Sequence, residues 1–370
     1  MRLGTYNVEN MFDRAKAMNM DTWAEGRPAL EAHAALNRLF NKPTYNTADK
    51  ARMLALLETQ GLLRQDTGPL LLLRKLRGKL LDRPRNGPVT VAANGRDDWI
   101  GWVELVSEPV REAAAQNTAR VIDAVNADVL AVVEAEDRTT LRLFNEKLLR
   151  AVDATPYEHV MLIDGNDDRG IDVGILARSK FPIVSIRSHV DDADADGLIF
   201  SRDCAEYEIA LSGRQRLWVL VNHLKSKGFG KASDNDARRL RQATRLRKLY
   251  DAHRAQGDAL VAVLGDFNDT PGSAPLAPLL GAGSTLRDIF TLPVFDDGGR
   301  PGTHGNCTAS GKLDYILLSP ALAAAATAAG IERRGMWGGA NGTLWPHFPE
   351  VAAEKDAASD HAALWVDLRL

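Results

Sequence analysis

The segment ALVAVLGDFNDTPGS, residues 259–273, decides how the rest of the chain is interpreted. Residues 259–264 form an unbroken apolar run with two valines, which is typical of a strand buried on both faces. Gly265 ends the run, and Asp266 and Asn268 follow with one residue between them before a turn-forming sequence. Residues two apart on a strand point the same way, so a carboxylate and a carboxamide should emerge together. A strand followed by an ordinary polar turn would give the same fragment, so the remainder of the chain has to decide.

Length and composition are those of a globular protein with one large domain or two ordinary ones. The net charge is −3, so any binding of nucleic acid has to use local basic patches. Two cysteines are too few for a disulfide framework or a thiolate zinc site. The chain opens without a basic-then-apolar leader and has no apolar run of membrane-spanning length. We therefore expect a cytoplasmic protein without a transmembrane segment, although a secreted protein whose leader had been removed would have the same sequence.

Strand-like and helix-like segments alternate along most of the chain. Helices are predicted over residues 117–126, 140–151 and 234–254. Strands are predicted over residues 2–8, 127–137, 171–176, 199–209, 217–223, 259–264, 313–319 and 362–368. This alternation predicts a layered α/β core.

The character of the sequence changes between residues 13 and 115, which we interpret as an insertion in a single domain spanning residues 1–370. An Asn94-Gly95 pair between apolar runs predicts a β-hairpin within residues 89–106. An insertion of this length would either narrow access to an active site or mediate self-association through the tryptophans of that hairpin, Trp99 and Trp102. The insertion is expected to be largely helical, with helices over residues 28–42, 47–64 and 69–81.

Polar residues collect where the predicted strands end. They are Asn7, Glu9, Glu134, His223, Asp266, Asn268, Asp314, Asp360 and His361. Each alone is explained as a solvated strand end, a cap or a satisfied buried histidine. Together, the carboxylates and carboxamides suit a hard divalent cation such as Mg²⁺, and the histidines with nearby aspartates suit proton transfer or stabilisation of a charged phosphoryl group. No serine or cysteine stands out as a nucleophile, so water is the expected attacker.

Six segments resemble the signature blocks of the endonuclease/exonuclease/phosphatase superfamily, and they follow one another in the order of that family. They are YNVEN (6–10), DVLAVVE (128–134), NHLKSKG (222–228), GDFND (265–269), KLDYILLS (312–319) and SDHAAL (359–364). In addition, IFSRD (199–203) resembles the arginine-bearing strand of the deoxyribonuclease I-like branch, and the whole set is most similar to bacterial nucleases. The resemblance implies a four-layer α/β sandwich, with two mixed β-sheets flanked by helices. It also implies metal-dependent hydrolysis of a phosphate ester.

The resemblance further implies which residues bind the metal ion. Glu134 would be the principal ligand of Mg²⁺, for which Mn²⁺ would substitute. Asn7 and Asp360 would complete the metal side of the site, and Glu9 would contribute to it.

The remaining roles implied by the resemblance concern proton transfer and charge. His361, oriented by Asp360, would stabilise the charge that develops on the phosphoryl group. His223, supported by Asp314, would occupy the position of a histidine acid or base. The attacking water and one phosphate oxygen would be bound by Asp266 and Asn268.

The substrate is less firmly indicated than the reaction. Histidine at position 223 favours the nuclease and sphingomyelinase-like branches, and Arg202 and Lys225 would bind a substrate phosphate. We expect a nuclease acting on nucleic acid, with a DNA endonuclease as the preferred interpretation. The alternatives are a phosphatase or phosphodiesterase acting on a lipid or small phosphoester, and a non-catalytic module on the same scaffold. The last is disfavoured because every acidic and histidine position carries a chemically competent residue.

Overall fold

The computed structural model describes all residues except 19, 21, 22, 168 and 229, and Trp23 by its backbone alone. The chain divides into two compact units, one made of Met1–Phe12 and Val110–Leu370 and the other of Asp13–Pro109. The first unit holds the α/β core, and the second corresponds to the region interpreted as an insertion. Of the helices in the described residues, none is both long and apolar enough to cross a membrane.

Two large mixed sheets form the core of the first unit. Within the described residues, the first sheet has seven strands in the order Phe295–Asp296, Ala326–Glu332, Ala363–Leu368, Arg2–Asn7, Val129–Ala135, Asp172–Ala177 and His159–Ile163. The second has six, in the order Ile183–Arg187, Cys204–Ala210, Arg216–His223, Val261–Asp266, Asp314–Leu318 and Arg287–Asp288. A small separate ladder joins Ala193–Asp194 to Gly197–Leu198.

Helices cover the outer faces of both sheets and complete four layers. One apolar cluster, which includes Leu3 and Val219, fills the space between the two sheets. A second packs the first sheet against the helix Glu112–Val125, and a third packs the second sheet against the helix Ala232–Ala255. The predicted α/β class with two mixed sheets is therefore confirmed. Among its described residues, this unit also has the α-helices Arg138–Leu143, Leu149–Ala151, Ala277–Leu280 and Pro320–Ala325, with a π-helical turn over Phe144–Leu148. Short 3₁₀ helices lie at Ala274–Leu276, Ile289–Thr291, Ala309–Gly311 and Glu354–Asp356.

The strand Val261–Asp266 lies inside the second sheet, as its apolar sequence predicts. It runs parallel to Arg216–His223 and antiparallel to Asp314–Leu318. The register pairs Asp266 with His223 on one side and with Asp314 on the other. Gly265 has φ +125°, and a Cβ atom there would lie 1.9 Å from the carbonyl oxygen of Asn222. Only glycine allows the two strands to approach this closely beside the row of polar residues.

The second unit combines helices with short β-ladders. The predicted helix at 69–81 is wrong, because Leu71–Gly78 is a strand paired antiparallel with Trp99–Leu105. Four consecutive leucines open this segment, and a short apolar run does not distinguish a buried strand from a helix. The elements of this unit are the helices Trp23–Phe40 and Thr47–Thr59, a 3₁₀ turn at Lys16–Met18, and the further strands Asp13–Ala15, Leu81–Asp82, Thr90–Val91 and Ser107–Pro109.

The predicted hairpin at Asn94-Gly95 is also wrong. The strand before it, Thr90–Val91, pairs with Leu81–Asp82, so the two sides of the dipeptide have different partners. The carbonyl oxygen of Asn94 accepts a hydrogen bond of 2.8 Å from the backbone N–H of Tyr45. A Cβ atom at Gly95 would lie 1.9 Å from the carbonyl oxygen of Pro43. Here the dipeptide permits close packing against the loop before the helix Thr47–Thr59.

Glu206, buried in the second sheet, binds two histidines from different elements. Its Oε1 atom lies 3.1 Å from Nε2 of His189, and its Oε2 atom lies 3.2 Å from Nε2 of His253. Burial alone would raise the pKa of Glu206, but the two imidazoles lower it to about 2. Burial opposes protonation of the histidines, yet hydrogen bonding to Glu206 raises the pKa of both. The network is therefore a buried carboxylate held between two imidazoles, each of which also contacts an aspartate, Asp192 or Asp258.

We predict that Glu206→Gln lowers the free energy of unfolding by about 1.5–3 kcal/mol at pH 6, because each imidazole loses a charge-assisted hydrogen bond and keeps only its aspartate partner, Asp192 or Asp258. A histidine with a raised pKa contributes its full stabilisation below about pH 6.5, and this is lost as pH rises through the folded-state pKa. The destabilisation should therefore be smaller at pH 8.5, as measured by urea denaturation. Glu208→Gln, on the same strand but paired with Ser185 and Arg216, is the control and should cost under about 1 kcal/mol. Equal losses at both pH values would contradict the prediction.

Candidate active site

The carboxylate of Asp266 is the centre of the polar residues that end the strands. Its Oδ2 atom lies 3.2 Å from Nδ2 of Asn7 and 3.1 Å from Nδ2 of Asn268. The same atom lies 3.6 Å from Nε2 of His223 and 4.0 Å from Nε2 of His361. Its Oδ1 atom accepts a hydrogen bond of 2.8 Å from the backbone N–H of Asn268. Four residues thus surround one buried carboxylate, and three of them come from distant parts of the chain.

The histidines have different aspartate partners from those expected. Nδ1 of His361 lies 2.8 Å from Oδ2 of Asp314, and both groups are buried. Oδ2 of Asp360 instead lies 3.1 Å from Nε2 of His304, and Oδ1 of Asp360 lies 3.8 Å from Nε2 of His361. The expectations that Asp360 orients His361 and that Asp314 supports His223 are therefore wrong. Asp360 lies in a bend, from which its carboxylate contacts His304 by a hydrogen bond and the His361 ring only at ion-pair distance.

The ionisable groups of the site differ sharply in their affinity for protons. Burial alone would lower the pKa of His361, but Asp314 and Asp360 raise it well above its usual value. Burial and the charge of Asp314 raise the pKa of Asp266 to about 7. Burial and nearby guanidinium groups lower the pKa of His223 well below its usual value. At neutral pH the site therefore combines a charged imidazolium at one position with a neutral imidazole at the other.

The expected metal ligands gather at the neighbouring edge of the first sheet. Oε1 of Glu134 lies 3.6 Å from Nε2 of His223, and the backbone N–H of Glu9 donates to Oδ1 of Asn7 at 3.1 Å. The backbone N–H of Asp360 donates to Oε2 of Glu9 at 3.1 Å. These contacts join Glu134 to the second sheet through His223, and they join Glu9 to both Asn7 and Asp360.

The chemistry of this donor set fits a divalent cation. Asp314 and Glu134 both contribute to the raised pKa of Asp266, which is the effect of negative charge accumulated at short range. A bound cation would relieve this repulsion, and carboxylate with carboxamide oxygens suit Mg²⁺ or Mn²⁺. Among the described residues, two groups of His and Asp have ligand atoms within 4.8 Å of one another. One group is Asp266 with Asp314 and His361, and the other is His304 with Asp360 and His361. Of the four expected ligands, Asp360 belongs to one of these groups.

Three of the site residues have left-handed backbone conformations. Glu9 has φ 52°, Glu134 has φ 65° and Asn268 has φ 53°. Such conformations are costly for residues other than glycine, and each costs on the order of 1 kcal/mol or more. The surrounding hydrogen bonds hold these residues in place, since Asn268 donates from its side chain to both Asp266 and the carbonyl of Leu224.

A cationic cluster beside the site was only partly found from the sequence. Arg202 is 1% exposed, and its Nε atom lies 3.0 Å from Oδ2 of Asp167. Arg169 binds the same carboxylate through two hydrogen bonds, of 2.8 and 2.7 Å. Lys225 is half-buried, and its Nζ atom donates to the carbonyl of Ser226 at 3.1 Å. The signal that could have identified Arg169 is its position in a charged, glycine-containing turn just before a predicted strand.

His304 was missed altogether. Its ring centroid lies 4.7 Å from that of His361, and the two residues form an isolated β-bridge. A lone histidine in a glycine-rich loop carries no periodic or spacing signal that would have identified it.

Residues 107–361 match the model of the Endonuclease/Exonuclease/phosphatase family. The chain belongs to this family. Its members are hydrolases of phosphoester bonds and generally depend on divalent metal ions, so phosphoester hydrolysis is the chemistry that the family supports for this chain. The match leaves out the segment at residues 6–10, whose strand pairs with Val129–Ala135 inside the matched region.

Solved structures with a similar fold include enzymes of different kinds. A mannosyl-6-phosphatase of Bacteroides thetaiotaomicron aligns with a TM-score of 0.51 at 17% identity, covering 70% of this chain and 92% of its own. The human Nocturnin catalytic domain with bound sulfate gives 0.48 at 16%, with 70% and 86% covered. Truncated TDP2 of Caenorhabditis elegans gives 0.44 at 16%, with 69% and 91% covered. At this identity the alignment with the phosphatase shows the fold alone. No protein with a curated description matches the chain.

We predict that Asp314→Asn lowers the pKa of His361 and lowers the rate of phosphoester hydrolysis by about 10²- to 10⁴-fold, because the ring loses its orienting anion. The pKa is measured by NMR titration of the imidazole in the metal-free protein. Asp360→Asn is the comparison, and it should lower the pKa of His361 less, since Asp360 makes no hydrogen bond to that ring. A larger shift in Asp360→Asn than in Asp314→Asn would contradict this assignment.

Proposed function

We propose that this protein is a divalent-metal-dependent phosphodiesterase that cleaves nucleic acid, with DNA as its preferred substrate, through in-line attack by water. The observation that carries the proposal is the position of Asp266, a buried carboxylate within 4.0 Å of two imidazoles and hydrogen-bonded to two carboxamides. This arrangement supplies a base, a cation and amide donors around one point. No covalent intermediate is required.

In this proposal Asp266 accepts the proton of the attacking water. Its raised pKa makes it a stronger base than an ordinary aspartate, and a value near 7 suits proton transfer at neutral pH. The side-chain amide of Asn268, which donates to Asp266 and to the carbonyl of Leu224 in this structure, would exchange one of these hydrogen bonds for one to a phosphate oxygen. The imidazolium of His361, held by Asp314, stabilises the negative charge that develops on the phosphoryl oxygens.

The neutral imidazole and the acidic edge have separate roles. His223 faces both Glu134 and Asp266, and burial lowers its pKa, so the neutral ring offers a hydrogen bond and no positive charge to the reacting groups. Glu134, Asn7, Glu9 and Asp360 would hold the divalent cation. When bound, this cation would polarise the phosphoryl group and offset charge on the leaving oxygen.

Basic side chains on the His223 side of the site support a polyanionic substrate. Lys225 and Arg169 lie there, and Lys227 is half exposed at 51% while its ammonium pairs with Asp269. Polyanion binding would make turnover strongly dependent on salt, which hydrolysis of a lipid or small phosphoester would not be.

We predict that the purified protein nicks supercoiled plasmid in the presence of Mg²⁺ or Mn²⁺ and that a chelator stops the reaction. Between 50 and 200 mM salt the value of kcat/KM for DNA should fall by at least about tenfold, because phosphate contacts release counterions. RNA, single-stranded DNA and bis(p-nitrophenyl) phosphate are assayed in parallel. Turnover of the small diester alone, with little dependence on salt, would favour the small-phosphoester alternative over the proposal.

We predict that Glu134→Ala and His361→Ala each lower phosphodiester hydrolysis by about 10³-fold or more while the circular dichroism spectrum and unfolding midpoint stay close to those of the parent. His159→Ala, in an edge strand of the first sheet, is the matched control and should keep its activity. Retained turnover in folded, metal-supplied His361→Ala would remove that residue from the mechanism.

We predict an acid limb in kcat/KM with its midpoint below about pH 7, because protonation of Asp266 removes the base and a bound cation lowers the pKa of about 7 that this carboxyl has in the metal-free protein. Below the midpoint, activity should fall about tenfold per pH unit. Since the charge of Asp314 helps to raise this pKa, the limb should move to lower pH in Asp314→Asn, whatever the loss in maximal rate. Residual activity of the variant measured between pH 5 and 9 gives the position of the limb. A limb that stays in place would assign the titration to another group.

A further inference from the structure

Thr303 is a fully buried residue in the loop that leads to Asp314. Its hydroxyl oxygen accepts two backbone hydrogen bonds, one of 3.1 Å from Leu313 and one of 3.0 Å from Asp314. Its carbonyl oxygen accepts a third, of 2.7 Å, from the backbone N–H of Ala362. Because Ala362 follows His361 in the chain, Thr303 binds the backbone beside both members of the pair that Asp314 and His361 form.

The loop around Thr303 is itself fixed by backbone contacts. The backbone N–H groups of Thr303 and His304 both donate to the carbonyl oxygen of Gly311 at 2.9 Å. On the other side, His304 and His361 form the isolated antiparallel β-bridge. The loop is therefore attached along its length to the segment that carries His361, and Thr303 is the residue that links this segment to Asp314.

The carbonyl side of Asp314 is held by a buried ammonium group. Nζ of Lys312 donates to the carbonyl oxygen of Asp314 at 2.7 Å and lies 3.2 Å from Oδ2 of Asp288. Thr303 and Lys312 thus bind the N–H and the C=O of the same residue. The hydrogen bond between Oδ2 of Asp314 and Nδ1 of His361 is 2.8 Å long, so a small displacement of either backbone would weaken it.

We infer that Thr303 is a positioning residue, which sets the distance between Asp314 and His361 and so the orientation of the His361 imidazole. The effect of this role on turnover rests on the proposed function, whereas its effect on the hydrogen bond does not require a substrate. A threonine hydroxyl suits the role because its oxygen accepts both N–H groups while its hydrogen can donate to the carbonyl oxygen of Gly311, at 3.3 Å.

The first test replaces Thr303 with valine, which keeps the shape of the side chain but cannot accept a hydrogen bond. In Thr303→Val the kcat for phosphodiester cleavage should fall about 10- to 100-fold, because the imidazole is displaced, while KM changes by less than about threefold. Thr303→Ser keeps the hydroxyl and should restore kcat to within about threefold of the parent value. The substrates are bis(p-nitrophenyl) phosphate and an oligonucleotide duplex, with saturating Mg²⁺ or Mn²⁺.

The second test uses no substrate. In the metal-free protein, the NMR chemical shifts of the Nδ1–H group of His361 report its hydrogen bond to Asp314. The proton signal should move upfield in Thr303→Val, because a longer hydrogen bond deshields the proton less, and it should stay at the parent position in Thr303→Ser. If Thr303→Val does not fold, Thr303→Cys replaces it and should change kcat and the signal in the same directions, since sulfur is a weak acceptor.

Ser319→Ala is the matched control. Ser319 is fully buried just beyond the opposite end of the strand that begins at Asp314. Its hydroxyl accepts a hydrogen bond of 3.2 Å from the backbone N–H of Val261 and donates one of 2.8 Å to the carbonyl of Ala259. Its removal should lower the unfolding midpoint, as Thr303→Val does, but it should leave kcat and the His361 signal at their parent values.

An unchanged Nδ1–H signal or an unchanged kcat in folded Thr303→Val would overturn the inference, and so would an equal loss of kcat in Ser319→Ala. If the signal moves in Thr303→Val but the parent protein cleaves no phosphodiester, the positioning role stands and the proposed function fails. If the parent cleaves phosphodiesters and the signal does not move, the proposed function stands and the positioning role fails.

Discussion

A carboxylate that is almost completely removed from water holds this site together. Burying the charge of Asp266 is unfavourable unless donors and cations surround it, and the fold supplies them from both sheets. Asn7 reaches it from the first sheet, whereas His223 and Asn268 belong to the second. The hydrogen bond between Asn7 and Asp266 therefore crosses the interface between the sheets, above the apolar cluster that excludes water from the space beneath. The site requires the two sheets to keep a fixed alignment.

The loop after the central strand is fixed by a second set of buried contacts. Arg239 is fully buried, and its Nε atom lies 3.1 Å from Oδ2 of Asp269, while the hydroxyl of Tyr315 donates to the carbonyl of Asp269 at 2.8 Å. Asn268 is thus held between an anchored strand and an anchored turn. Donors held in this way need little rearrangement when charge develops on a substrate, which is what makes electrostatic stabilisation effective. The arginine-rich helix that carries Arg239 contributes structure here as well as surface charge.

The sequence was sufficient for the core, but not for the pairings within the candidate site, and it gave no indication of His304. Long apolar runs predict the central strands, because a strand buried on both faces shows no alternation of apolar and polar residues. Polar residues at the ends of these runs predict which elements meet. The leucine-rich segment at 69–81 was misassigned because its partner strand is distant in the chain, and tertiary pairing overrides local pattern. Which aspartate binds His361 depends on the register between Asp314 and Asp266, which residue spacing does not encode. Asp167 and Arg169 lie in a charged turn, and nothing in the sequence of that turn indicates that the buried Arg202 pairs with Asp167.

The left-handed residues Glu9, Glu134 and Asn268 carry a consequence for protein engineering. Glycine would relieve the backbone at each of these positions, yet it would remove a side chain that the site uses. Selection for thermal tolerance alone would therefore favour variants that have lost their chemistry, and any directed-evolution library of this chain has to score turnover alongside heat resistance. Tolerance to substitution at these three positions, measured with and without selection for turnover, would separate the demands of folding from those of catalysis.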